Sequence, residues 1–258
     1  MDLHLEGARV IVTAGASGIG REIVRRFRDE GARVAVCDVD DLALEALRKD
    51  MPSVAAERCD VADPAGVTGF VEQAVEALGG LDCLVNNAGI AGPTARIEHI
   101  DDEGWRRCLD VCLTGQFNTV RAAVRYLRAS ANPSIVNISS AAGKLGFARR
   151  TPYAAAKWGV IGLTKSLAVE LGPDRIRVNA VLPGLVAGDR QRRVMEAKAQ
   201  NRGVSFDEVE REAFSYTSLP EYVTAEQLAD QILFLASPRG RTITGQAIAV
   251  DGDTKMLA

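Results

Sequence analysis

Short runs rich in Val, Ile and Ala alternate along the chain with longer stretches whose apolar residues recur at helical spacing. The runs at 8–12, 32–37, 81–85, 134–138, 177–182 and 247–250 predict strands. The stretch after Asp63 shows the helical pattern. Asp63 can cap, Pro64 suits a first turn, and Val67, Phe70, Val71, Ala74, Val75 and Leu78 share one face before Gly79 and Gly80 end it. Helices are also predicted at 40–49 and 224–236. Strands alternating with helices that each offer one apolar face imply an α/β fold, a doubly wound Rossmann arrangement with a parallel sheet and helices on both faces.

With 258 residues, 47% of them hydrophobic, the chain can bury one large core, and it reads as a single dinucleotide-binding and catalytic domain over 1–258. No repeat or linker divides it. One change of texture stands out between 188 and 220, where a polar, charge-dense stretch holds Arg190, Arg192, Arg193, Glu196, Lys198 and Arg202. It is expected to be a helical insertion that covers the substrate.

Charge narrows the partners. A net charge of −3 speaks against a nucleic-acid footprint, which needs clustered positive charge. No apolar run approaches the ~18 residues of a spanning helix and the first twenty residues lack signal-peptide order, so a cytoplasmic protein without membrane contact is expected. Cys37, Cys59, Cys83, Cys108 and Cys112 contain no C-x-x-C, and the two histidines, His4 and His99, are far apart. No metal site or disulfide framework is expected, and the cysteines read as small hydrophobes.

The candidate chemistry begins after the first predicted strand, at Thr13-Ala14-Gly15-Ala16-Ser17-Gly18-Ile19-Gly20. Small residues there let the backbone approach a pyrophosphate, and the following helix offers free N–H groups and a positive dipole end. Asp38 closes the second strand, where a carboxylate can accept from the ribose hydroxyls of NAD and repel a 2′-phosphate. The alternative for Asp38 is a cap on the next helix. Asn86-Asn87-Ala88-Gly89 and Ser139-Ser140 stand at later strand ends, and Tyr153-Ala154-Ala155-Ala156-Lys157 lies on a helix. Helix geometry puts Tyr153 and Lys157 on one face, ~5–6 Å apart at Cβ. A free phenol ionises near pH 10, and an adjacent ammonium favours the phenolate, so such a pair can move a hydroxyl proton.

In this order, with Ser140 thirteen residues before Tyr153, the motifs resemble the short-chain dehydrogenase/reductase family over essentially the whole chain. Asp60-Val61, Pro183-Gly184 and Asp251-Gly252 strengthen the resemblance. It implies hydride transfer between NAD(H) and a secondary alcohol or ketone, with Ser140, Tyr153 and Lys157 catalytic. It also implies a cofactor site drawn from Thr13, Gly15, Ser17, Gly18, Ile19, Gly20, Asp38, Asp60, Val61, Asn87, Ala88, Gly89, Pro183, Gly184 and Val186. Tyr153 and Lys157 join them, Lys157 through the nicotinamide ribose. A small-molecule substrate and a homotetramer, built through helices at about 101–130 and 153–171, are further implications. The open alternatives are a dinucleotide-binding regulator without turnover and an NADPH-linked 3-oxoacyl reductase.

Three positions depart from the family pattern: Ala14 replaces the first loop glycine, Gly188 replaces a threonine, and Cys112 stands where the family has its tetrad asparagine. In the family that asparagine holds a water leading from the lysine to solvent, and with a thiol there the backbone carbonyl of Cys112 is expected to hold it instead. Arg190, Arg192 and Arg193 after the Pro-Gly pair, and Lys144, Arg149 and Arg150 after Ser140, raise the prospect of a small anionic hydroxy or oxo substrate. The same residues also read as a solvated, charged helix face.

Overall fold

The computed structural model describes residues 2–257, apart from the side chains of Asp189, Arg190 and Asn201. Seven strands form one sheet: β1 (Arg9–Thr13), β2 (Arg33–Asp38), β3 (Ala55–Arg58), β4 (Cys83–Asn86), β5 (Ser134–Ile138), β6 (Arg177–Pro183) and β7 (Ala247–Val250). Their order is β3-β2-β1-β4-β5-β6-β7, and every pairing is parallel. Strand order therefore reverses between β1 and β4, the crevice in which open parallel sheets bind ligands.

Nine α-helices lie among the described residues: α1 (Gly18–Asp29), α2 (Asp41–Asp50), α3 (Pro64–Leu78), α4 (Asp102–Leu109), α5 (Gly115–Leu127), α6 (Thr151–Leu171), α7 (Asp189–Arg202), α8 (Phe206–Ser215) and α9 (Ala225–Ala236). Val10, Val12, Val34 and Val36 pack with α1, α2 and α9 on one face of the sheet, while Ile11, Leu84, Ile135 and Val178 pack with α3, α5 and α6 on the other. The sheet is thus covered on both faces, as the uninterrupted apolar strands require. Asp63 caps α3 by accepting from the Ala65 amide, and Thr224 caps α9. Asp40, not Asp38, caps α2, accepting from Ala43 N at 3.1 Å.

The edge strand β3, which carries only two alanines and two charged residues, is an element the apolar pattern does not announce. The charged stretch after 188 folds into α7 and α8 and packs around its own small cluster of Met195, Ala199 and Val209. A π-helical turn, Asp110–Thr114, joins α4 to α5 without a break and carries Cys112.

Two arginine clamps fix the sheet at the end away from the crevice. Arg9 donates through Nε and Nη2 to Asp82 at 2.8 and 2.7 Å, and Ser130 Oγ donates to the same carboxylate at 2.6 Å. Arg177 holds the end of α9 and the turn after it, donating to the carbonyls of Leu235, Ala236 and Gly240. No helix among the described residues is long and apolar enough to cross a membrane.

Candidate active site

The loop from β1 to α1 is shaped by close backbone approach. A Cβ on Gly20 would fall 2.1 Å from the Ala14 carbonyl oxygen and 2.6 Å from Asn87 Nδ2, so only glycine fits beneath the turn. Asn87 donates through Nδ2 to the carbonyls of Thr13 and Ala14 at 3.1 and 3.0 Å. Thr13 Oγ1 accepts from the amides of Asn87 and Ala88, both at 3.0 Å. The ends of β1 and β4 are thereby stitched together across the crevice. Ala14 takes the left-handed conformation, φ 50°, that glycine would hold without strain.

The loop fits a dinucleotide phosphate. No side chain caps the first turn of α1, and Ser17, Gly18, Ile19 and Gly20 line the crevice, so the leading amides of α1 are left without a protein side-chain acceptor there. Asp38, 8% exposed at the end of β2, accepts from Ala16 N at 3.2 Å through Oδ2, and from Val39 N and Asp40 N at 2.8 and 3.2 Å through Oδ1. Its carboxylate is thus held in place by three amides on the rim of the loop.

A cleft of about 1280 Å³ runs along this edge and gathers Ser17, Gly18, Ile19, Gly20, Asn87, Gly89, Ser140, Tyr153, Lys157, Pro183, Gly184 and Val186 in its wall. Thr13, Gly15, Asp38, Asp60, Val61 and Ala88 lie outside that wall. Gly15 N donates to the Cys37 carbonyl, Asp60 is paired with Arg107 at 2.8 Å, and the Val61 carbonyl accepts from Asn118 Nδ2 at 3.0 Å.

Tyr153 and Lys157 project from the first turns of α6, whose second residue, Pro152, sits where no N–H donor is needed. Lys157 Nζ stands 5.7 Å from the centre of the Tyr153 ring and donates to the Ile138 carbonyl at the end of β5, 2.8 Å away. The Lys157 carbonyl in turn accepts from Ser139 Oγ at 2.8 Å, so strand end and helix are strapped together twice. Ser140 follows at once, its Oγ accepting from Ala142 N at 3.2 Å. Beneath lies a buried polar chain: Thr119 Oγ1 donates to Asn86 Oδ1, Asn86 Nδ2 to Asn137 Oδ1, and Asn137 Nδ2 to Thr164 Oγ1. Fully satisfied, such a network fixes α5, β4, β5 and α6 in one register. Asn137, polar within an apolar strand, is the one sequence sign of it.

Cys112 is fully buried behind the cleft and meets Ile90, a residue of the cleft wall, through its side chain. Its Sγ donates to the Ile90 carbonyl and accepts from the Ile90 amide, both at 3.4 Å. The thiol thereby holds the strand-end loop after Asn87-Ala88-Gly89.

The basic residues separate into groups. Lys144 is paired with buried Asp251 at 2.7 Å, tying the segment after Ser140 to the end of β7. Arg192 pairs with Glu196 at 2.9 Å on an exposed face of α7, and Arg149 is exposed. The side chain of Arg190 is outside the described residues. Arg193 lines the cleft. Arg150 is 5% exposed, its Cζ 4.9 Å from the centre of the Tyr153 ring and 5.1 Å from that of Phe147, and it donates to the Ala91 carbonyl at 2.7 Å. Lys198, on α7, sets its Nζ 5.3 Å from the same Phe147 ring. An isolated bridge pairs Phe147 with Leu257, and both line the cleft.

A family profile described as Enoyl-(Acyl carrier protein) reductase matches residues 13–253. The chain is 36% identical over 254 residues to 3-oxoacyl-[acyl-carrier-protein] reductase FabG of Thermotoga maritima, covering 97% of this chain and 98% of that one. It is 36% identical over 252 residues to trans-4-hydroxycyclohexanecarboxylate dehydrogenase of Sinomonas cyclohexanicum, covering 94% and 90%. Among solved structures, a variant of actinorhodin polyketide ketoreductase with NADPH superposes with a TM-score of 0.89 at 33% identity over 95% of this chain and 96% of that one. Fold, motif order and relatives agree: the chain belongs to the short-chain dehydrogenase/reductase family, oxidoreductases that act on CH–OH groups with a nicotinamide dinucleotide.

Proposed function

We propose that the protein interconverts a secondary alcohol and a ketone with NAD(H), using Ser140, Tyr153 and Lys157. The observation that carries this reading is the placement of Tyr153 beside Lys157 on α6, with Ser140 on the same cleft wall. Bound in that cleft, the nicotinamide ring supplies the hydride acceptor or donor. Ser140 orients the substrate oxygen, and Tyr153 takes the hydroxyl proton in oxidation or returns it in reduction. Lys157, anchored on Ile138, holds its charge beside the Tyr153 ring and reaches toward the ribose.

The dinucleotide site is drawn from Ser17, Gly18, Ile19 and Gly20, with Asn87 and Gly89 across the crevice and Pro183, Gly184 and Val186 beyond β6, while Thr13, Gly15 and Ala88 shape it from behind the wall. Asp38 favours NAD, since a fixed carboxylate at this rim repels a 2′-phosphate, and Ser17 adds no positive charge. Asp60 and Val61 border the adenine end. A second reading, NADPH-linked reduction of 3-oxoacyl thioesters, is favoured by the names of two relatives. The name of the Sinomonas relative points instead to a hydroxy carboxylate.

α7 and α8 serve as the cover of the substrate half. Phe117 on α5, with Trp158 and Val169 on α6, is exposed at 45%, 52% and 81%, which supports a homotetramer formed through these helices. Sedimentation equilibrium checks that assembly.

Absorbance of NADH across a panel of secondary alcohols and ketones tests the activity. Turnover is expected in the wild type, while Tyr153→Phe loses at least about nine-tenths of kcat and still binds NADH. Absence of turnover across the panel, with NADH binding retained, speaks for a regulatory dinucleotide-binding protein.

A further inference from the structure

We infer that Gln116 is a positioning residue for Lys157, its side-chain oxygen holding an internal water that bridges to the ammonium. This role rests on the oxidoreductase reading of the cleft and adds to it a residue from behind the cleft wall.

Gln116 is the second residue of α5, just past the π-helical turn that carries Cys112. The start of α5 is seated closely at Gly115, where a Cβ would fall 2.6 Å from Val61 Cγ2. The side chain of Gln116, a residue 2% exposed, reaches the end of β5, and its Nε2 donates to the Ile138 carbonyl at 3.2 Å. Lys157, itself buried, donates to the same oxygen at 2.8 Å. Turning the amide round would set oxygen against oxygen, so Nε2 faces Ile138 and Oε1 points elsewhere. That Oε1 is buried and meets no donor among the described residues.

A glutamine so placed is not needed to satisfy Ile138, whose carbonyl already has the ammonium. An orphaned buried acceptor destabilises a fold, and an apolar side chain of the same shape would avoid the loss. The oxygen is therefore accounted for by a donor it can reach. Lys157 has three N–H groups, of which Ile138 takes one. Two donors that share one carbonyl oxygen stand roughly 5 Å apart, which puts the Gln116 amide within one water of Nζ. Such a water accepts from Nζ and donates to Oε1, two of the partners an internal water takes.

Held by Ile138 and by the bridge, the ammonium keeps its place 5.7 Å from the centre of the Tyr153 ring, with one N–H left for the ribose. Gln116 neither gains nor loses a proton in this role. The other titratable groups around Lys157 are Tyr153 on its own helix, Arg150 ahead of that helix, and Cys108 and Cys112 on the joined run of α4 and α5. Changing the uncharged Gln116 leaves the charge of each as it is.

A high-resolution crystal structure of the wild type with NAD+ should show a water within about 3.2 Å of both Gln116 Oε1 and Lys157 Nζ. Its absence overturns the inference. Gln116→Met keeps the length of the side chain and removes both polar atoms. It should lower kcat for alcohol oxidation at least tenfold, change KM for NAD+ less than about threefold, and move the pH of half-maximal rate upward, because a loosened ammonium favours the phenolate less. Wild-type kcat in the variant overturns the positioning role. A loss of kcat with the pH midpoint unmoved marks packing damage and overturns it too. Should the variant fail to fold, the water in the wild-type structure decides. Lack of wild-type turnover with every alcohol and ketone defeats the oxidoreductase reading instead, and the bridge is then judged by that water alone.

Discussion

The Cys112 thiol is bonded twice to one residue, donating to the carbonyl and accepting from the amide of Ile90 at 3.4 Å each. A hydroxyl can make the same pair of bonds, whereas a methyl group can make neither. Cys112→Ser should therefore keep kcat within about tenfold, and Cys112→Ala should lower Tm and cost ~1–3 kcal/mol by leaving both Ile90 groups without their side-chain partner. A serine variant as inactive as Tyr153→Phe would show that the sulfur takes part in the chemistry. Stopped assays and thermal melts on the two variants decide between these roles.

Asp38 accepts from three backbone amides, two through Oδ1 and one through Oδ2. Truncation to alanine would disturb the loop as well as the charge, so Asp38→Asn is the cleaner change. It can keep the two Oδ1 bonds to Val39 and Asp40 while removing the negative charge. Wild-type enzyme should prefer NAD(H) over NADP(H) at least tenfold in kcat/KM, a gap of ~1.4 kcal/mol, and the asparagine variant should narrow it mainly through the cofactor KM. Steady-state kinetics with both cofactors check this, and a wild type that favours NADP(H) defeats the assignment.

Ala14 sits at φ 50° where a Cβ is unfavourable. Relief of left-handed strain is worth ~1–2 kcal/mol and the added freedom of an unfolded glycine costs ~0.5–1 kcal/mol. Ala14→Gly should accordingly leave stability unchanged or raise it by up to ~1 kcal/mol, and Ala14→Val should lower it. Differential scanning calorimetry distinguishes them.

Burial works to raise the Asp82 pKa, but the hydrogen bonds from Arg9 and Ser130 outweigh it and hold the carboxyl below the usual aspartate range. A carboxylate whose folded pKa is depressed adds stability above its unfolded pKa, near 3.9, and that contribution is lost as pH falls through the folded value. Asp82→Asn should cost ~1–3 kcal/mol at pH 7 and flatten the fall in stability below about pH 4. Urea melts of both proteins across the acid range measure the difference.

Much of this architecture can be read from the chain because local and tertiary preferences agree. β5 and β7 fall where the apolar runs at 134–138 and 247–250 place them, and α3 begins after its Asp63 cap. β3 escapes because an edge strand with half its residues solvated needs no apolar run. In the site, glycines, Tyr153 and Lys157 are legible as spaced motifs. The hold of Cys112 on Ile90 is not, since 22 residues separate them and only the packed fold brings them together. Lys198 hides for a related reason: in a stretch crowded with charge, nothing local distinguishes the one lysine that turns inward from its neighbours that face water.

The bridge between Phe147 and Leu257 has a bearing on evolution of the cleft. One patch of substrate-facing wall is shared by two stretches far apart in sequence, with Arg150 and Lys198 leaning on the same ring. Substitutions in the segment after Ser140 and in the tail beyond β7 should then fail to add in double-mutant cycles, each changing what the other is worth. New specificities would arise most readily by paired change, with tail and segment drifting together, rather than by stepwise tuning of either alone.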